Sequence, residues 1–110
     1  MTHGPDGKAT TVQYEQDGAR VVVAHGDYDT NTIAPLEEAL DTAARKHTRV
    51  VLDVSGVSFA DSTFLNLLLR IHHMTSLRLA GLPRQLRHLL EITGTDTVLD
   101  TRESIQDALL

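Results

Sequence analysis

Runs of β-branched and apolar residues alternate along the chain with segments in which apolar residues recur every three or four positions. The runs predict strands, which we place at Thr10–Gln16, Arg20–His25, Val50–Val54, Ser76–Ala80 and Thr97–Leu99. The periodic segments predict helices with an apolar face, at about residues 32–47, 61–73, 83–93 and 100–110. We therefore expect a single α/β domain with the element order β-β-α-β-α-β-α-β-α.

Turn residues separate these elements. Asp17-Gly18 favours positive φ angles, which predicts a hairpin between the first two strands. Gly26–Asp29 and Ser55–Ala60 both contain small polar residues and glycine, so we expect two loops there. The predicted architecture is one mixed sheet of about five strands, with an N-terminal hairpin and parallel pairs, and about four helices packed on it.

Capping signals indicate where the outer helices begin. Asn31 or Thr32 is the expected cap of the first helix, with Pro35 in its first turn. At the other end of the chain, Asp100 and Glu103 resemble a capping box for a last helix that ends at Leu110.

Composition narrows the classes of function. The chain has 110 residues, of which 41% are hydrophobic, and this suits one domain with one core. Ten Lys and Arg against fifteen Asp and Glu give a net charge of −5, which disfavours nucleic acid as a ligand because phosphate binding needs a basic surface. The absence of cysteine excludes disulfides and thiolate catalysis.

Residues 1–9 read MTHGPDGKA, and we expect this polar segment to be a flexible tail before a domain over residues 10–110. The segment lacks the apolar centre of a signal peptide. The longest apolar run, around Leu67–Leu69, is too short to span a bilayer. Together these features predict a cytoplasmic protein without membrane insertion.

Signatures of catalysis are scarce: the chain has no glycine-rich phosphate loop, no G-x-S-x-G and no H-E-x-x-H. Asp27 and Asp29 could bind a metal or act as an acid/base pair, but short carboxylates before a helix more often cap it. His72 and His73 point about 100° apart on a helix, so they cannot share one ion. We expect no enzyme, no metal and no cofactor.

Asp61-Ser62-Thr63 is the segment with the clearest functional interpretation. Helix capping alone explains these residue types. A serine at this place is also exposed on the first turn, where backbone N–H groups and the helix dipole stabilise an added phosphate. Because phosphorylation adds a charge of about −1.5 to −2, Ser62 is a candidate switch.

The helix after Ser62 is apolar on more than one face, through Phe64, Leu65, Leu67, Leu68, Leu69 and Ile71. A helix that lies on a sheet needs only one apolar stripe. Two explanations stay open: the helix is covered on both sides, or part of it forms an exposed docking patch for another protein.

Several motifs occur in an order that is similar to that of a known family: Gly26-Asp27-Tyr28-Asp29 before Thr32-Ile33-Ala34-Pro35, then Asp53–Val57, Asp61-Ser62-Thr63, and Leu79–Gly81 with Leu89–Gly94. They resemble STAS domains, and most closely the bacterial anti-sigma factor antagonists. The similarity covers roughly residues 11–110. It implies the STAS fold, which agrees with the element order expected above.

The resemblance implies a partner switch. In that family the unmodified antagonist binds an anti-sigma factor, a serine kinase with a histidine-kinase-like ATP fold, and thereby frees a sigma factor. The kinase phosphorylates the serine of the D-S-[ST] motif, here Ser62, and a serine phosphatase reverses the modification. The expected partner-binding residues are Asp27, Tyr28, Asp29, Asp61, Ser62, Thr63, Phe64 and Asn66.

The chain departs from the family directly after this motif. The family usually continues with Gly-Leu-Gly or Gly-Leu-Asn, whereas here Phe64 replaces the first glycine and Asn66 is the third residue. A ring two residues after Ser62 would obstruct a kinase or direct the surface to another partner. One alternative is therefore an unphosphorylated STAS scaffold or adaptor, such as a subunit of a membrane transporter. Another is a small hydrolase that uses Asp27, Asp29 and a histidine.

Overall fold

The order of strands and helices expected from the sequence is confirmed in a computed structural model that describes residues 9–110. The elements are β1 Thr10–Gln16, β2 Ala19–Tyr28, α1 Ala34–Lys46, β3 Arg49–Ala60, α2 Ser62–Met74, β4 Ser76–Ala80, α3 Arg84–Thr93, a 3-10 turn Thr95–Thr97, β5 Asp100–Arg102 and α4 Ile105–Leu109. The predicted tail lies outside the described residues except for Ala9, which packs against the core. Among the helices of residues 9–110, none has the length and hydropathy to cross a membrane.

The five strands form one sheet in the order β1-β2-β3-β4-β5. β1 is antiparallel to β2, and the other pairs are parallel. Asp17 and Gly18 join the first two strands with φ angles of 52° and 79°, the left-handed region that a two-residue hairpin turn requires. The predicted mixed sheet with an N-terminal hairpin is therefore confirmed.

The two faces of the sheet are covered unequally. Side chains alternate between faces along a strand, so Val22 and Leu52 lie in the larger core while Val21 and Val51 lie in a smaller one. The larger core contains the apolar residues of α1, α2 and α3. Among the helices of the described residues, only the short α4 covers the smaller core.

β2 and β3 are longer than the sequence indicates. The loops expected at Gly26–Asp29 and Ser55–Ala60 are wrong, because Gly26–Tyr28 pairs in parallel with residues 57–60 of β3. β4 pairs with β3 only as far as Asp53, so beyond that point β2 and β3 continue as a two-stranded ribbon. The ribbon has two register shifts, and Ser55, Ser58 and Phe59 in it are exposed, so its residues lack the apolar pattern of a buried strand.

The ribbon is fixed to β1 by Tyr28. Its hydroxyl accepts a hydrogen bond from the His25 N–H at 3.1 Å and donates one to the Thr10 carbonyl at 3.0 Å. The side chain is completely buried. Burial raises the pKa of the Tyr28 hydroxyl above its ordinary value, and the hydrogen bond from His25 lowers it by a smaller amount.

The apolar surface of α2 is covered on both sides, which confirms one of the two explanations given above. Phe64, Leu65, Leu67, Leu68 and Ile71 are all buried. α2 also contacts α1, and the Arg70 guanidinium binds Asp41 at 2.7 Å and Glu37 at 3.1 Å across that contact. The alternative of an exposed docking patch on this helix is wrong.

The C-terminal boundaries expected from the sequence are also wrong. The strand expected at Thr97–Leu99 is β5, at Asp100–Arg102, and a 3-10 turn precedes it. Asp100 and Glu103 do not cap α4; the cap is Ser104, whose hydroxyl accepts the Asp107 N–H at 3.2 Å. The Asp100 carboxylate instead binds the Arg102 guanidinium at 2.7 Å, which an apolar pattern cannot reveal.

Replacing Leu68 with alanine is expected to destabilise the fold by about 2–5 kcal/mol, because the side chain is fully buried and leaves a cavity. Urea denaturation measures this loss. Asn66→Ala is the matched control, since Asn66 is exposed on the same helix and its loss should cost about 0.5 kcal/mol or less. Equal effects of the two substitutions would contradict the burial of Leu68.

Tyr28→Phe is expected to cost about 1–3 kcal/mol at neutral pH, because the His25 N–H and the Thr10 carbonyl lose their shared partner. A second effect follows from the raised pKa of Tyr28. Above about pH 10 the unfolded chain loses the phenolic proton first, so the wild-type stability falls as the pH rises. Denaturation between pH 8 and pH 11 should show a shallower decline for Tyr28→Phe, and parallel curves would refute this assignment.

Candidate functional site

The first turn of α2 is built by Asp61. Its carboxylate accepts the Thr63 N–H at 2.9 Å, and its carbonyl accepts the N–H groups of Phe64 at 3.1 Å and Leu65 at 3.2 Å. Asp61 is thus the N-cap, as the sequence predicts. Ser62 is the first residue of the helix and is exposed, while Asp61 and Thr63 are half-buried.

The segment between β2 and α1 is organised by Asp29. Its carboxylate accepts the N–H groups of Asn31 at 2.8 Å and Thr32 at 3.1 Å. The N-cap of α1 is Ile33 and has no side-chain cap, so the capping expected of Asn31 or Thr32 is wrong. The turn is closed by the Thr32 hydroxyl, which donates to the Asp27 carbonyl at 2.9 Å.

These hydrogen bonds count against the interpretation of Asp27 and Asp29 as a metal site or an acid/base pair. The Asp29 carboxylate is occupied by backbone donors of its own turn, which is the structural use of a short carboxylate before a helix. Within residues 9–110, no group of three or more histidine, aspartate or glutamate side chains is arranged to hold a metal ion.

The β2–α1 segment and the start of α2 are brought together in space. The Thr30 and Thr63 hydroxyls lie 3.3 Å apart, within hydrogen-bond distance, although 33 residues separate them. Asp27 and Asp29 are half-buried, and Asn66 is exposed one turn after Ser62. We call the exposed and half-buried members of the predicted set the Ser62 surface: Asp27, Asp29, Asp61, Ser62, Thr63 and Asn66.

Two members of the predicted partner-binding set lie beneath this surface. Tyr28 and Phe64 are completely buried, and their rings are in contact with centroids 5.5 Å apart. They offer no surface to another protein, so the expectation of direct partner contact is wrong for both. Their packing instead joins the end of β2 to the first turn of α2.

An apolar groove whose lining includes Ala60, the residue before Asp61, was not expected from the sequence. It lies between the end of β3 and α3, has a volume of about 280 Å³, and is lined mainly by Val57, Phe59, Leu86, Leu89 and Ile92. Phe59 is 54% exposed and Ile92 is 68% exposed at its rim. The one indication of it in the sequence is Ile92, an apolar residue that lies outside the apolar stripe of α3.

Comparison with known proteins shows which family the chain is similar to. A family model described as "Mlab, STAS domain" matches residues 12–101. The structure is similar to that of an anti-sigma factor antagonist from Mycobacterium paratuberculosis, with a TM-score of 0.85 and 27% identity over 93% of this chain and 92% of that chain.

Two further structures share the fold at lower identity. The Bacillus cell fate determinant SpoIIAA in its phosphorylated form has a TM-score of 0.67 and 14% identity, over 88% of this chain and 95% of that chain. The murine anion transporter solute carrier 26 family member A9 has a TM-score of 0.66 and 17% identity, over 87% of this chain but 18% of the transporter. Because the family model matches most of its length, the chain belongs to the STAS domain family.

Proposed function

We propose that this chain is an anti-sigma factor antagonist that binds an anti-sigma factor through the Ser62 surface and is released when Ser62 is phosphorylated. The observation that carries the proposal is the position of Ser62, an exposed hydroxyl at the first residue of a 13-residue helix. The similarity to the M. paratuberculosis antagonist, at 27% identity over most of both chains, supports it.

The electrostatics of the first turn explain how a phosphate would act. Asp61 already occupies the N–H groups of Thr63, Phe64 and Leu65, so few backbone donors remain for a second anion. This differs from the expectation, drawn from the sequence, that these N–H groups would stabilise an added phosphate. A phosphate on Ser62 adds about −1.5 to −2 charge beside the Asp61 carboxylate. Because Ser62 is exposed, the new charge would lie at the surface, in the space that a bound protein would fill.

The expected size of the effect is large enough for a switch. Burying an unpaired ion at an interface costs several kcal/mol. Since each 1.4 kcal/mol is a factor of ten in affinity, a penalty of about 4 kcal/mol weakens a complex by about a thousandfold. The unmodified hydroxyl carries no such penalty.

The burial of Phe64 removes the main objection to phosphorylation. The ring that replaces the usual glycine points into the core and packs on Tyr28, so it does not cover Ser62. The same burial removes the main support for an unphosphorylated scaffold, which needed Phe64 as an external docking ridge. The hydrolase alternative loses Asp29, whose carboxylate is held by its own turn.

The proposed partners follow from this chemistry. A serine kinase brings ATP and magnesium, so the antagonist needs neither a cofactor nor a catalytic group of its own. A serine phosphatase would restore the free hydroxyl. Both reactions act on an exposed side chain, which agrees with the position of Ser62. Such a switch would operate in the cytoplasm, where sigma factors act.

Incubation with the cognate anti-sigma kinase and ATP is expected to add one phosphate to the wild-type chain and none to Ser62→Ala. Intact-mass spectrometry measures the addition. Ser76→Ala is the matched control, because Ser76 is an exposed serine beyond the opposite end of α2 and should be dispensable. Phosphate on Ser62→Ala, or none on the wild type with any kinase of the source organism, would refute the phospho-switch and favour the scaffold.

Ser62→Asp is expected to weaken binding to the anti-sigma factor at least tenfold, because it places a carboxylate in the proposed interface. Aspartate is favourable in the first turn of a helix, so the melting temperature should change little. Isothermal titration calorimetry gives the affinity, with Ser76→Asp as the control for added charge, because Ser76 is exposed beyond the opposite end of α2. Equal affinities of the two variants would place the interface elsewhere.

A further inference from the structure

In the part of the chain that the structure describes, β1 is an edge strand of the sheet. Within residues 9–110 it pairs with β2 and with no other strand. Six of its seven side chains are exposed, and they include Val12 at 60% and Tyr14 at 37%. The sequence TTVQYEQ contains neither the proline nor the lysine with which proteins commonly block such an edge.

The outward-facing backbone groups of β1 can be identified. In an antiparallel pair, residues with N–H and C=O directed at the neighbouring strand alternate with residues whose groups point away. The Thr10 carbonyl is directed at β2, because the Tyr28 hydroxyl lies between it and the His25 N–H. Thr11, Gln13 and Glu15 therefore direct their N–H and C=O groups away from the sheet.

We propose that β1 pairs antiparallel with β1 of a second copy of this chain, about a two-fold axis at Gln13. In this register Gln13 faces Gln13, and Thr11 faces Glu15 of the second copy. The outward N–H and C=O groups of these residues then complete a second set of hydrogen bonds. The result is a continuous sheet of ten strands from two chains.

The side chains of β1 are self-complementary in this register. Val12 of each copy faces Tyr14 of the other, so the two exposed apolar residues of the strand cover one another. Val12 already pairs with Val23 and Tyr14 with Val21 in the same chain. Dimerisation therefore extends two short apolar rows on the thinly covered face of the sheet into rows of four residues.

Charge also favours the antiparallel register. Glu15 is the only charged residue of β1. Four residues along a strand span about 14 Å, so the two Glu15 carboxylates are separated by more than the screening length of about 8 Å at physiological salt. A parallel pairing in register would place these two carboxylates side by side.

The dimer can be tested by sedimentation equilibrium on the full chain between about 10 μM and 1 mM. The average mass should rise from 12.1 kDa toward that of two chains. Val12→Lys should weaken association at least tenfold, whereas Val98→Lys, at an exposed valine outside the sheet, should leave it unchanged. A chain that stays monomeric at 1 mM, or equal association of both variants, would overturn the proposal.

Hydrogen exchange distinguishes a second copy from any other occupant of the edge. The amides of Thr11, Gln13 and Glu15 should become protected only as the concentration rises, while those of Val12 and Tyr14, directed at β2, are protected throughout. Gln13→Pro removes one outward donor and should abolish dimerisation without unfolding the chain. Slow exchange at Gln13 in the monomer would show that another part of the same chain covers β1, and would overturn the proposal.

Discussion

The contact between the Tyr28 and Phe64 rings determines where Ser62 lies. Tyr28 ends β2 and Phe64 is in the first turn of α2, so the contact fixes the ribbon tip to the start of the helix. Both rings are fully buried, and the Tyr28 hydroxyl is satisfied by backbone groups of β1 and β2. The helix therefore starts in a fixed place relative to the sheet, and its first residue remains outside the core.

Local signals were predicted well and non-local ones poorly. Asp61 caps α2 through a hydrogen bond two residues away, and such a bond depends only on neighbouring sequence. The strand character of Gly26–Tyr28 and Ser55–Ala60 depends on their pairing across about 30 residues, which no local pattern contains. The predicted position of the last strand, Thr97–Leu99, is three residues before β5 for the same reason. Only the short pairing with β4 defines Asp100–Arg102 as a strand.

The exposure of the two phenylalanines, Phe59 and Phe64, differs from what the sequence predicts for the site. The resemblance to the family predicts that Phe64 contacts a partner, yet residues two apart on a helix differ by about 200° in direction. An exposed Ser62 therefore directs Phe64 into the core, and Asn66, four residues after Ser62, returns to the exposed side. Phe59 lies in a segment expected to be a polar loop, but strand geometry places its ring at the rim of the groove. The burial of Phe64 can be predicted from the helical period alone. The groove at Phe59 can be recognised only once the fold is known.

In the proposed switch, the apolar groove would supply the affinity for the partner, and the phosphate on Ser62 would control its release. Phe59 and Ile92 expose apolar surface three to thirty residues from Ser62 along the chain, and burial of such surface contributes about 25 cal/mol per Å². That contribution does not change when a hydroxyl is modified, whereas a phosphate at Ser62 adds a penalty of several kcal/mol at the same interface. A partner that covers both regions could bind tightly and still be released by one modification, because the penalty acts on the whole complex and not on a single contact.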